Sequence, residues 1–381
     1  MDYTQQNATQ AAVWAAFSSG APTRVPMSIS ANERMLLLDP ALNPDGVSFA
    51  DCYANPEIMF ETMLRFQYWY RHCVPGDFEH GLPEQWTIGP GFQNYYDAAW
   101  FGAEIHFMDN AVPDTRPLLT EDKKRLLFDR GIPDPFANIM GRGRDFQHYF
   151  RERACRETFH DRPITVGAFY PALGSDGPFT VACNLRGATE FCLDLYEDPE
   201  YAQELMAYIV EATITRQRAW LLHEGLPLER SGVGIADDSI ALLSCAAYRE
   251  CVLPHHQRLL SALRAPEASV WVHLCGDATR HFVTIRDELG ATSFDTGFPV
   301  DHGQLRKALG PEITISGGPH VEILLHGTPA EVEAETRRIL HSGVMDGGKF
   351  ILKEANNLAP CTPLTNLEVM YATCQREGVF V

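Results

Sequence analysis

From residue 160 onward the chain alternates two kinds of segment, and this rhythm limits the folds open to it. "RPITVGAFY" reads as a strand, and "PEYAQELMAYIVEATITRQRAWLLHEG" as a long helix stopped by Gly225. The pattern repeats through "SGVGIADD", "AYRECVLPHHQRLLSALRA", "ASVWVHLCGD", "TRHFVTIRDELG", "TSFDTG", "DHGQLRKALG", "EITISGG", "PAEVEAETRRILHSG", "GKFILKEA" and "PLTNLEVMYATCQREG". The strand segments are continuous apolar and β-branched runs, as in parallel strands covered on both faces. Strand then helix, repeated, predicts a parallel α/β fold. Expected strands at 25–30, within 85–108, and at 163–168, 232–236, 270–275, 292–295, 313–317 and 349–354 make eight units. Eight βα units predict a (β/α)8 TIM barrel, with a doubly wound open sheet as the alternative. No G-x-G-x-x-G turn follows an early strand, which argues against a dinucleotide site.

A chain of 381 residues, 45% hydrophobic, can bury one large core. The expectation is a single domain over 1–381, with 1–22 as a helical N-terminal extension. The net charge of −19 disfavours nucleic acid and anionic membrane surfaces as partners. No run of 18 apolar residues predicts a membrane span. The start "MDYTQQNATQAAVWAAF" lacks the basic and apolar regions of a signal peptide. The ten scattered cysteines then read as reduced thiols, and the expected location is cytoplasmic.

The carboxyl ends of the strands carry the chemistry of a barrel. Here they hold Asp237 and Asp238, then His273 and Cys275, then Asp295, then His320, and finally Glu354, Asn356, Asn357 and Cys361. Strand residues two apart share a face, so the His273 imidazole and the Cys275 thiolate can meet one ion. Zinc accepts that mixture. The competing reading is a hydrogen-bonded core histidine beside a cysteine acting as a small hydrophobe. A third ligand is expected from the end of the last strand, where Cys361 is the candidate. An open fourth position would suit activation of a thiol. Asp237 and Asp238 are the candidates for proton transfer or substrate orientation, with helix capping as the bland alternative. Asp295, Asn356 and Asn357 are expected to bind substrate. His255 and His256 read as structural residues of an outer helix, and Cys52, Cys183, Cys192, Cys245, Cys251 and Cys374 as buried small hydrophobes.

The stretches "GPFTVACNLRG", "AYRECVLPHHQRL", "VHLCGD", "LLHGTPAEVEAETRRIL" and "ANNLAPCTPLTNL" resemble the uroporphyrinogen decarboxylase superfamily. Within it the chain is most similar to the zinc-dependent methyltransferases that move a methyl group between a corrinoid protein and a thiol. The resemblance implies a (β/α)8 barrel, zinc held by His273 and Cys275, and methylcobalamin or another corrinoid supplied by a partner protein. It implies a small-molecule methyl donor or acceptor, and it admits a homodimer. In that family a further cysteine supplies the third ligand, but here its slot falls on Asn356, five residues before Cys361. Glu354 and His320 are the alternative third ligands. The decarboxylase branch carries an arginine-rich N-terminal stretch that has no counterpart at 25–40. Two competing functions stand beside methyl transfer: a metal-independent lyase or decarboxylase, and a non-catalytic corrinoid- or tetrapyrrole-binding protein.

Overall fold

A computed structural model describes residues 2–380. Seven strands carry the architecture: β1 (Trp86–Ile88), β2 (Arg162–Val166), β3 (Arg230–Ile235), β4 (Arg264–Leu274), β5 (Ser293–Thr296), β6 (Thr314–Gly317) and β7 (Phe350–Leu352). Strands β3 to β7 form one parallel sheet in chain order, and β1 pairs in parallel with β2 in a second, smaller sheet. Parallel neighbours need crossover connections, and helices supply them. The main helices are α1 (Thr4–Ser18), α2 (Pro56–Cys73), α3 (Pro178–Arg186), α4 (Pro199–His223), α5 (Leu253–Ser261), α6 (Phe282–Leu289), α7 (His302–Leu309), α8 (Pro329–Ile339) and α9 (Leu364–Glu377), of which α3 to α8 lie between the strands of β2 to β7. The α/β order therefore follows the sequence rhythm. Among the described residues, no helix is long and apolar enough to cross a membrane.

The expected first strand at 25–30 forms only a single parallel bridge, Met27 to Leu352. The reason is local. Pro26 has no N–H, and the other edge of the segment is satisfied by Asp77, whose carboxylate accepts from Met27 N–H at 2.8 Å and whose N–H donates to Met27 O at 2.7 Å. Among the described residues no ladder joins β2 to β3. The segment 103–110 contributes a two-residue strand, Ile105–His106, antiparallel to Asp114–Thr115. Helix α1 docks on the 76–80 loop through Asn7 to His80 O and Gln10 to Gly76 O.

The five-stranded sheet is two-faced. One register row runs Ile235, Val272, Phe294, Ile315 and Phe350, and all five side chains are buried beneath the helices. Each fully buried aliphatic or aromatic side chain stabilises the fold by roughly 1.5–3 kcal/mol. The opposite face carries Gly234, Trp271, Ser293 and Thr314 in one row and His273, Asp295, Ser316 and Ile351 in the next. None of these eight is buried.

His302, the first residue of α7, is buried, and neither ring nitrogen has a hydrogen-bond partner. Burial pushes its pKa down to about 4. The folded state therefore holds a neutral ring where the unfolded chain, titrating near 6.5, takes a proton. Stability is full above pH 6.5 and falls as pH drops toward 4, by on the order of 3 kcal/mol from this group. His302→Leu is expected to flatten that part of the pH–stability curve, measured by urea denaturation at pH 7 and pH 4.5.

Candidate active site

Strand β4 ends by presenting His273 and Cys275 on the same open face. The imidazole Nε2 lies 3.1 Å from Cys275 Sγ, and Nδ1 lies 2.7 Å from Asp295 Oδ2 on the neighbouring β5. Asp295 is shared, because Lys353, just past β7, donates to the same oxygen at 2.9 Å and to Ser30 Oγ at 2.8 Å. Asp238, in the turn after β3, accepts the Cys275 N–H at 2.7 Å. The Cys275 thiol donates to Asn356 Oδ1 at 2.8 Å. Among the described residues, Asp238, His273 and Cys275 are the group whose potential metal-ligand atoms all lie within 4.8 Å of one another.

The electrostatics of this group are unbalanced. Burial pushes the Cys275 thiol up, and the nearby Asp238 and Asp295 carboxylates add to the shift. Burial likewise raises Asp238. At His273 burial opposes the charged ring, but the hydrogen bond to Asp295 together with the negative charges of Asp295 and Asp238 outweighs it and the pKa is raised. Burial also opposes charge on Asp295, yet His273 and Lys353 hold it below the usual carboxylate range. Two potential anionic ligands are thus driven toward neutrality, and a cation between them would reverse both shifts.

The expected third ligands lie elsewhere. Cys361 is exposed, with its backbone at φ 63°, and its Sγ approaches Leu38 O at 3.6 Å. Glu354 is buried and receives the Ser30 N–H on both oxygens at 3.1 Å, and burial raises its pKa to about 8. His320 Nδ1 accepts the Glu322 N–H at 3.0 Å, and the ring packs 3.6 Å from that of Phe298. Asn356 stands at the group itself, with Asn357 half-buried beside it.

Asp237 and Asp238 are adjacent but do different things. Asp237 is fully buried and receives Phe179 N–H at 3.0 Å and both the N–H and the hydroxyl of Thr180 at 2.7 Å. These donors belong to the first turn of α3, so the carboxylate caps that helix and meets its dipole. Its fourth partner is His256 Nε2 at 2.8 Å, and Tyr248 OH lies 3.1 Å from the other ring nitrogen. His256, read as a structural residue of an outer helix, lies on α5, is fully buried and reaches inward to Asp237. Gly177 makes the contact fit: at φ 84°, a Cβ there would sit 2.5 Å from that of Asp237. Cys245 also departs from expectation, being exposed, while Cys192 and Cys251 are half-buried.

Sequence reasoning missed several residues that converge here. Lys353 was hidden inside a strand pattern. Arg34 donates to Asn32 Oδ1 at 3.0 Å and Gln93 Oε1 at 2.8 Å, and burial lowers its pKa against the opposing charges of Glu33 and Cys275. Asp176 precedes Gly177, and its N–H donates to Asp97 Oδ2 at 2.9 Å. Asp97 is held in turn by the buried Arg216 at 2.6 Å. Asp237→Ala would leave the Thr180, Phe179 and His256 donors unsatisfied. It is expected to cost about 3 kcal/mol of stability in chemical denaturation.

The chain is 29% identical over 207 residues to the methylated-thiol–coenzyme M methyltransferase of Methanosarcina mazei, covering 53% of this chain and 52% of that one. It is 25% identical over 207 residues to the methylcobamide:CoM methyltransferase of the same organism, covering 54% and 58%. Uroporphyrinogen decarboxylases match over a similar span. The chain thus spans about half the length of these relatives. A solved methyltransferase from Methanosarcina mazei shares the fold, with a TM-score of 0.64 at 19% identity over 95% of this chain and 96% of that one. The uroporphyrinogen decarboxylase profile matches residues 166–377, more than half of the sequence, and the chain belongs to that family.

Proposed function

We propose that the protein is a zinc-dependent methyltransferase, a single (β/α)8-barrel domain with residues 1–22 as an extension. It would move a methyl group between a corrinoid carried by a partner protein, or a small methylated compound, and a thiol-like acceptor. The observation that carries this reading is the convergence of Asp238, His273 and Cys275. Their nitrogen, sulfur and oxygen donors fit zinc, and three protein ligands leave a fourth position open. The Asp295 carboxylate on His273 Nδ1 is the outer partner that metal-binding histidines ordinarily have. Bound there, zinc would supply a Lewis acid able to lower the pKa of an acceptor thiol.

The rest of the work falls to the chain's own groups. Asp295 fixes the His273 ring so that Nε2 faces the centre, and Lys353 holds Asp295 in place from the other side. Asn356 accepts the Cys275 thiol proton in the free protein and orients the sulfur. Arg34 hydrogen-bonds two neutral amides and would offer its guanidinium, on whose charge Glu33 also acts, to an anionic end of the acceptor. The relatives' names, with coenzyme M and methylcobamide as their substrates, support the same reaction class.

Metal analysis of the purified protein tests the centre. Wild type should hold one zinc per chain; His273→Ala and Cys275→Ser should lose it, and Cys361→Ser and His320→Gln should keep it. Absence of stoichiometric zinc from wild type, or methyl transfer that survives chelation, would falsify the assignment. Arg34→Leu should raise KM for an anionic thiol acceptor about tenfold, roughly 1.4 kcal/mol, with kcat little changed. Steady-state kinetics with methylcobalamin as donor measures it.

A further inference from the structure

We infer that Cys192 and Cys183 are a peroxide-responsive thiol pair, which a hydroperoxide oxidises to a disulfide joining two consecutive helices. Cys183 lies on α3, and Cys192 on the helix Ala188–Glu197, which follows after a single residue, Gly187. Gly187, at φ 100°, lets the chain leave α3 and enter the second helix at once. Its N–H donates to Cys183 O at 2.8 Å, and its carbonyl accepts the Phe191 N–H at 2.9 Å. Two contacts fix how the helices face each other. The Phe179 and Phe191 rings pack with centroids 5.4 Å apart, and Arg186 Nε donates to Asp194 Oδ2 at 2.8 Å. Phe179, Cys183 and Arg186 are four and three residues apart and share one helix face. Cys183 therefore lies between the two contacts on one helix, and Cys192 between Phe191 and Asp194 on the other. There the two thiols meet in a hydrogen bond, with the Ser239 hydroxyl as the other partner of Cys183.

Burial divides the roles. Cys183 is 4% exposed, whereas Cys192 is half-buried and within reach of a small oxidant. The hydrogen bond from Cys183 brings the Cys192 thiol down to about 7 against the effect of burial, and the same bond together with burial pushes Cys183 up. The thiolate is the nucleophile, so Cys192 reacts first. Its sulfur attacks one peroxide oxygen: an S–O bond forms, the O–O bond breaks, and hydroxide leaves behind a Cys192 sulfenic acid. The Cys183 sulfur then attacks the Cys192 sulfur: the S–S bond forms, the S–O bond breaks, and the departing hydroxide takes the Cys183 proton as water. Together the two thiols lose two electrons and two protons, and hydrogen peroxide is reduced to two waters. One helical turn before Cys183, Thr180 holds Asp237 and receives the Ser239 N–H at 2.9 Å, so the pair sits against the turn that carries Asp238. The oxidation itself does not depend on methyl transfer or on a metal.

Hydrogen peroxide treatment of the full chain at pH 7, followed by blocking of free thiols and mass spectrometry of a non-reduced tryptic digest, tests the pair. Trypsin cuts after Arg186 and so parts the two cysteines into different peptides. Wild type should give these two peptides linked, lighter than their sum by two hydrogens, and dithiothreitol should separate them. Cys192→Ser should lose the link. Cys183→Ser should leave Cys192 as a sulfenic acid that dimedone traps, about tenfold more than in wild type, where Cys183 consumes it. The wild-type digest decides even where a variant folds poorly: absence of the Cys183–Cys192 link, or linkage of Cys192 to a different cysteine, overturns the proposal. Equal dimedone labelling of Cys192 in wild type and Cys183→Ser overturns it too.

Discussion

Side chains alternate across a β-strand, and the whole site depends on which residues of β4 fall on which side. Val270, Val272 and Leu274 point into the apolar layer under the helices, and that burial locks the register. Trp271, His273 and Cys275 are then held on the open side with no freedom to exchange places. A slip of one residue would bury the imidazole and expose three aliphatic side chains, at a cost of several kcal/mol for the burial alone. The apolar row from Ile235 to Phe350 enforces the same parity on the neighbouring strands. The chemistry of the open face is thus positioned by packing on the covered one.

The turn after β3 divides two identical side chains between structure and site. Asp237 turns inward to satisfy the first turn of α3 and is closed off by His256, so all its neighbours are protein donors. Asp238 turns the other way, to the Cys275 N–H, and remains one of the three groups that can share an ion. The first carboxylate fixes the turn from which the second reaches Cys275. This pairing also explains "GPFT": the glycine gives Asp237 room, the proline starts the helix, and the threonine hydroxyl completes the cap.

Charge around the group is arranged pair by pair. Lys353 and His273 balance Asp295, and buried Glu354, raised to about 8, carries its proton at neutral pH. What stays uncompensated is the pair Asp238 and Cys275, both pushed toward neutrality by burial. Arg34 adds a cation hydrogen-bonded to two neutral amides, with Glu33 acting on its charge. A pair of acidic groups driven toward neutrality thus lies near a half-buried guanidinium.

Much of this was legible in the sequence because it is local. The alternation of apolar runs with amphipathic ones reports backbone periodicity directly, so the βα order and the shared face of His273 and Cys275 follow without coordinates. The weak first strand escaped because its partner is the Asp77 side chain, a contact no periodicity encodes. The third potential ligand escaped for a related reason. Cys361 was the obvious choice by residue type, but its loop turns it to the surface, while Asp238, 37 residues before Cys275, comes from the neighbouring strand end. Asn356, 81 residues after Cys275, reaches its thiol in the same way. The sequence by itself determined the order of elements, the side of the sheet on which His273 and Cys275 lie, and two of the three side chains that converge there. Only the tertiary structure decided which distant carboxylate joins them, which carboxylate becomes a helix cap, and that Trp271 stays uncovered, because those outcomes depend on how loops from separate strand ends meet in space.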